Sequence, residues 1–266
     1  MCSILWEKPM SDPSRPSVLV TGGALRIGGA ISRAFGEAGW HVVIHYHHSS
    51  QASDGLAAQL PSAETFGADL CETDQASGMI ASLAARLSDW RVLVNCASVF
   101  DYDDVTELDI ATNREAMQVN ALAPALMAQE FLAKAQSAAG RCVIQVTDQK
   151  LANPNPDFFS YTMSKHALDA TIPMLAMGAA RPDDRIYGLA PGAILASHDQ
   201  SDAEAEISHR LNLLGRRTDA SEIADAALFL AAGHLKSGQS LIVDSGQHLL
   251  RQPRDVIYLA REGGRQ

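Results

Sequence analysis

Short aliphatic runs alternate with longer Ala- and Leu-rich stretches along most of the chain. Residues 18–21 predict a first strand, and residues 27–38 an amphipathic helix that Gly39 closes as a C-cap residue would. The pattern continues with a strand over 40–46, a helix over 53–60 stopped by Pro61, a weak strand over 64–66 and a helix over 73–87. Residues 91–95 form an apolar run of the kind buried on both faces of a parallel sheet. One long helix is expected within 110–137, kinked at Pro124. A strand over 141–146, a helix over 159–180 and a strand over 185–190 lead into Pro191-Gly192. Short helices over 202–213 and 220–232 precede a last strand over 240–243.

Strands that alternate with helices imply an α/β fold: a Rossmann-like, doubly wound parallel sheet of about seven strands with right-handed crossovers, in one domain. Ligands of such a sheet lie beyond the carboxyl ends of its strands. The segments to suspect are therefore 21–28, 46–49, 69, 95–100, 147–150 and 191–198.

The 266 residues are enough for one such domain. Residues 1–16 read as a disordered leader, 17–249 as the nucleotide-binding domain, and 250–266 as a tail. The tail's apolar run Val256-Ile257-Tyr258-Leu259 should not stay in water; it packs either on a neighbouring subunit or on its own chain. A formal charge of −10 argues against nucleic acid and anionic membranes as partners. Cys2, Cys71, Cys96 and Cys142 are scattered without a CxxC pair, which fits reduced thiols and no metal site. No targeting or spanning segment is evident, so the chain is expected in the cytoplasm.

The chemistry starts at Thr21-Gly22-Gly23-Ala24-Leu25-Arg26-Ile27-Gly28-Gly29. A strand running into glycines and then a helix is the start of a dinucleotide site: glycine lets the backbone approach a pyrophosphate, and the helix N-terminus presents free N–H groups. Arg26 stands where another small residue is expected. It is either an exposed loop arginine or a fork of donors that reaches both the pyrophosphate and a polar substrate. After the second strand the chain reads His45-Tyr46-His47-His48-Ser49, with no carboxylate until Asp54. Donors at His47, His48 and Ser49 suit a ribose 2′-phosphate, which an acid there would repel, so NADPH is expected over NADH. Asp69 follows the third strand; it either accepts from the adenine amino group or only caps a helix.

Tyr161-Thr162-Met163-Ser164-Lys165 puts a tyrosine and a lysine on one helix face. A nearby ammonium should lower the phenol pKa and make Tyr161 a useful proton donor or acceptor.

With these residues the chain resembles the short-chain dehydrogenase/reductase family from about residue 17 to 249. The resemblance rests on Thr21-Gly22 and Ile27-Gly28, Asn95-Cys96-Ala97-Ser98, Asn120, Tyr161 with Lys165, Pro191-Gly192, and Val243-Asp244-Ser245-Gly246. Four departures resemble its pteridine reductase branch: Arg26 in the turn, Asp148 where a serine usually stands thirteen residues before the tyrosine, the His-rich segment after the second strand, and Phe100. That branch usually has Arg where this chain has His48. The resemblance implies Asp148, Tyr161, Lys165 and Asn120 as the catalytic set, with Asn120 supporting Lys165 through a water. It implies NADP(H) held by Thr21, Gly22, Arg26, Ile27, Gly28, the His47–Ser49 segment, Asp69, Asn95, Ala97, Tyr161, Lys165, Pro191 and Gly192. It also implies a dihydropterin or folate substrate at Arg26, Phe100, Asp148 and Tyr161. Phe100 could otherwise be plain core packing. A homotetramer is expected from the family. The competing functions are a carbonyl or alcohol reductase of the same fold, and a non-catalytic NADP(H)-binding regulator.

Overall fold

The computed structural model describes residues 15–196 and 200–263. Nearly all of the expected leader, and part of the 191–198 segment, lie outside the described residues. In chain order the elements are β1 (Ser17–Val20), α1 (Arg26–Glu37), β2 (His41–Tyr46), α2 (Ser50–Ala57), β3 (Ala63–Gly67), α3 (Thr73–Ala84) and β4 (Trp90–Asn95). They continue with α4 (Ile110–Met117), α5 (Ala123–Lys134), β5 (Cys142–Val146), α6 (Phe159–Gly178) and β6 (Arg185–Pro191). The last are α7 (Asp202–Ser208), α8 (Ala220–Ala231), β7 (Ser240–Val243) and α9 (Val256–Gly263).

All seven strands are parallel, in the order β3-β2-β1-β4-β5-β6-β7. Successive side chains point to opposite faces, and each face packs a separate core. Val18, Val20, Val42, Ile44, Val92 and Val94 face α1, α2 and α8. Leu19, Val43, Leu93, Val143 and Ile186 face α3, α5 and α6. Burial on both faces explains why the central strands lack polar alternation. Chain order reverses between β1 and β4, so a crevice opens where the loops after these strands diverge.

Two expectations need adjustment. The long helix is divided before Pro124: it widens into a π turn over Gln118–Leu122 and resumes as α5. Proline has no N–H for the carbonyl four residues back, and a wider turn accommodates the missing bond. The helix expected over 202–213 ends at Ser208, because the Asn212 side chain donates to the His209 carbonyl and turns the chain. Within the chain, Arg254 of the tail pairs with Asp157, and Val256, Ile257 and Ala260 are buried.

One buried ion pair ties the lower end of the sheet together. Arg141, before β5, donates from Nε and Nη2 to both oxygens of Asp184, before β6, at 2.8 and 2.7 Å. Its Nη1 donates to the carbonyls of Leu132 and Ala135 at the end of α5. Both side chains are almost fully buried. Asp184→Ala would leave the guanidinium unpaired there and is expected to lower stability by about 3–5 kcal/mol. A urea denaturation midpoint within error of the parent's would contradict this.

Candidate active site

The crevice is a cavity of about 600 Å³ at the carboxyl ends of β1, β4, β5 and β6. Its floor is the glycine turn. Gly22 has φ +60°, and a Cβ there would meet the Ala97 backbone at 2.9 Å. A Cβ on Gly28 would run into the Gly22 carbonyl. Thr21 supports the same junction: its hydroxyl accepts from the N–H groups of Cys96 and Ala97 at 3.0 and 3.1 Å. The N-terminus of α1 has no side-chain cap and no acid in its first turn. Its open N–H groups, a glycine floor and a crevice of this size fit the pyrophosphate of a dinucleotide.

His45 holds the turn from below. Gly22 N–H donates to its Nδ1 at 3.1 Å, and its Nε2 lies 3.0 Å from the Ala68 carbonyl. One neighbour donates and the other accepts, so the ring is neutral with its proton on Nε2. Burial, the largest cause, lowers its pKa from 6.5 to about 4. The sequence pointed to the histidines after it. The clue to His45 was strand parity: it is the last position of β2 on the Val43 face, level with the glycine turn.

His47 and His48 are exposed at the end of β2, with ring centroids 3.5 Å apart. His47 Nε2 lies 3.5 Å from Asp69. Asp69 accepts from Cys71 N–H at 2.8 Å, a turn contact ahead of α3; the N-cap of that helix is Glu72, so Asp69 does not cap it. His47, His48, Ser49 and Asp69 stand outside the cavity, past the turn on the β2–β3 side.

The upper wall carries the reactive groups. Asp103 accepts from both the N–H and the hydroxyl of Ser160 and fixes the first turn of α6, which follows Phe158 in a left-handed conformation of φ 55°. Next to Ser160, Tyr161 points into the cavity and donates its phenol to Asp148 Oδ2 at 2.6 Å. Asp148 Oδ1 accepts from Lys150 N–H at 2.7 Å, which aims the carboxylate. Burial pushes the Asp148 pKa up against the pull of Tyr161 and Lys150. Burial first and Asp148 second raise Tyr161 well above the ordinary phenol. This corrects the expectation that Lys165 would lower it: the nearest partner is a carboxylate that holds the proton in place. Lys165, buried, donates to the Val146 carbonyl at 2.8 Å, stands 5.7 Å from the Tyr161 ring centre, and has its own pKa lowered by desolvation.

The other expected residues divide into two groups. Gly22, Arg26, Ile27, Gly28, Ala97, Phe100, Pro191 and Gly192 line the cavity with Asp148, Tyr161 and Lys165. Thr21, Asn95 and Asn120 stand behind it. Asn95 donates to the Pro124 carbonyl and to Gln145. Asn120 accepts from Val99 N–H, and donates to the Val99 carbonyl and to Ser164. It fixes the loop that carries Phe100, and its hydrogen bonds go to Val99 and Ser164. Phe100 stacks on Phe158 at 4.1 Å and meets Tyr161 edge-on, so one face is packed. Arg26 has φ 53° and donates to the carbonyls of Ala196 and Leu195, at 2.9 and 3.4 Å, bridging the glycine turn to the loop after β6.

A family model described as Enoyl-(Acyl carrier protein) reductase matches residues 23–248. Pteridine reductase 1 of Leishmania tarentolae is 27% identical, over 91% of this chain and 99% of that protein. The dihydromonapterin reductase of Klebsiella pneumoniae is 25% identical, over 90% of this chain and 100% of that one. Among solved structures, FolM alternative dihydrofolate reductase 1 from Brucella canis, complexed with NADP, superposes with a TM-score of 0.83 at 31% identity. That match covers 90% of this chain and 96% of the Brucella chain.

The neutral His45 gives a pH signature. Its folded pKa is depressed, so the unfolded chain binds the extra proton first as pH falls. The stability it contributes is present above 6.5 and is lost as pH drops toward about 4. That shift amounts to about 3 kcal/mol. In His45→Gln the fall in stability between these pH values should be shallower by about that amount. Parallel pH–stability curves for the two proteins would refute the assignment.

Proposed function

The chain belongs to the short-chain dehydrogenase/reductase family, and from that premise we propose that it is an NADPH-dependent pteridine reductase that converts a dihydropterin to the tetrahydro form. The observation that carries this reading is the Asp148–Tyr161 hydrogen bond, beside Phe100, in the cavity above the glycine turn. A carbonyl reductase needs a hydroxyl to steady one oxygen. Reduction of a ring C=N bond needs a proton at nitrogen, and a carboxyl group relays one more readily than a serine. The pteridine and dihydromonapterin reductases among its relatives support the same choice.

When bound, NADPH supplies the hydride, which goes to C6 of the pterin. The glycine turn and the α1 N-terminus hold its pyrophosphate. His47, His48 and Ser49 supply donors for the 2′-phosphate, and Lys165 serves the nicotinamide ribose. Phe100 offers its unstacked face to the planar substrate. Tyr161 and Asp148 deliver a proton to N5, so the C6=N5 bond becomes C–H and N–H, and solvent reprotonates the pair. Arg26 serves both the phosphates and the polar edge of the pterin. Asn120 acts at a distance, by fixing the Phe100 loop.

We read the protein as a cytoplasmic homotetramer. The described cysteines Cys71, Cys96 and Cys142 are free, as in a reducing compartment. Among the described residues no helix is long and apolar enough to cross a membrane. Leu122, Met174 and Met177 expose apolar surface on the helices around α5 and α6, as a subunit contact would need.

Steady-state NADPH oxidation with dihydromonapterin, dihydrobiopterin and dihydrofolate, set against a panel of aldehydes and ketones, tests the assignment. Turnover of carbonyls alone would transfer the chain to the competing reductase class, and NADPH binding without any turnover would favour a regulator. Tyr161→Phe should lower kcat by about 10²–10⁴ with NADPH affinity retained. Because burial raises the Asp148 pKa, its proton-donating form extends upward in pH. The rate should fall as pH rises through that pKa, and Asp148→Asn should flatten the fall. Arg26→Gly suits the positive φ, so the variant should fold as stably as the parent. Its kcat/KM for pterin should drop at least about tenfold, the loss of one charge-assisted hydrogen bond, and NADPH affinity should fall by less. Equal losses in both would leave Arg26 a phosphate ligand only.

A further inference from the structure

The C-terminal segment takes no part in the chemistry above, yet Asp255, Val256 and Ile257 form one wall of the same cavity. Two ion pairs fix that wall. Arg254 donates from Nε and Nη2 to the Asp157 carboxylate at 2.8–3.0 Å, and Asp255 N–H donates to the same carboxylate at 2.8 Å. The Asp255 carboxylate accepts from Lys150 Nζ at 3.1 Å, and Lys150 also donates to the Asp157 carbonyl at 2.7 Å. Lys150 and Asp157 are buried, so parting either pair would strand a charge out of water. At its far end the segment reaches the helix beyond β6, where Arg261 donates to Glu204 of α7 at 3.0 Å. Ile257 packs with Phe158 and Tyr161, in the cluster that Phe100 joins.

The chemistry of this wall is one-sided. Val256 and Ile257 present methyl groups. Asp255 is a carboxylate, and its neighbouring cation, Lys150, is already engaged with it. Resting on the pteridine reductase reading, we propose that residues 254–257 decide which pterin is used: the wall admits a dihydropterin with a short, uncharged C6 substituent and disfavours a folate, whose substituent is longer and ends in carboxylates. A wall held by two ion pairs, each with one buried member, does not swing aside for the longer group, and a glutamyl carboxylate meets Asp255 there instead of an unpaired cation.

The test compares kcat/KM for dihydromonapterin and dihydrofolate in the full-length parent, Arg254→Ala and Ile257→Ala. The parent should favour dihydromonapterin. Each variant should raise the dihydrofolate-to-dihydromonapterin ratio by about tenfold, mainly through a lower KM for dihydrofolate. NADPH affinity should be unchanged. Ile257→Ala makes room without touching either ion pair, so it stays informative if Arg254→Ala folds poorly. A parent that prefers dihydrofolate, or a ratio that stays within about twofold of the parent's in the folded variants, overturns the role of the wall. Failure of the pterin reading looks different: the parent would bind NADPH and turn over neither substrate.

Discussion

Tyr161 donates its phenol proton to Asp148 at 2.6 Å, and burial disfavours the charged form of both groups. A pair of this kind keeps a proton available at neutral pH without exposing it to water. Most of the upper half of the molecule holds the two side chains to that geometry. Asp103 fixes the start of the helix that carries Tyr161, and the Lys150 N–H aims the carboxylate. Asn120 fixes the loop in front of them through Val99, and Ser164 links it back to the same helix through the Tyr161 carbonyl. The sheet contributes by ending: the loops that leave the carboxyl ends of β1, β4, β5 and β6 part around the crevice.

The fold was legible because its two cores draw on alternate residues of doubly buried strands, which leave continuous apolar runs such as Val92-Leu93-Val94. The helix faces were equally plain, and their ends were less so. Where α7 stops depends on a side-chain contact from Asn212, and the shape of the long helix depends on a widened turn; neither leaves a mark in periodicity. Within the site, Tyr161 with Lys165 and the glycines stood out by spacing, and Asp148 through the family resemblance. The electrostatics did not. A lysine four residues on predicts a lowered phenol pKa, but a carboxylate in direct contact outweighs an ammonium that lies 5.7 Å from the ring centre. His45 escaped notice because a buried histidine between a donor and an acceptor looks, in sequence, like one more member of a His-rich turn.

Arg26 concentrates the remaining argument. A non-glycine residue at φ 53° is strained by about 1–2 kcal/mol, and a glycine would remove that strain. The local sequence is already rich in glycine, so nothing about the turn itself requires an arginine. Its two contacts in the structure are carbonyls of the loop after β6, and one of them is long. Neutral acceptors on an exposed guanidinium offset the strain only in part. The balance is restored if the same fork of donors also meets anionic or polar groups that arrive with the ligands. Arg26 stands between the turn that suits a pyrophosphate and the loop after β6, so one strained residue is placed to answer to both ligands at once. Its strain is then part of how the two halves of the crevice are made to bind together.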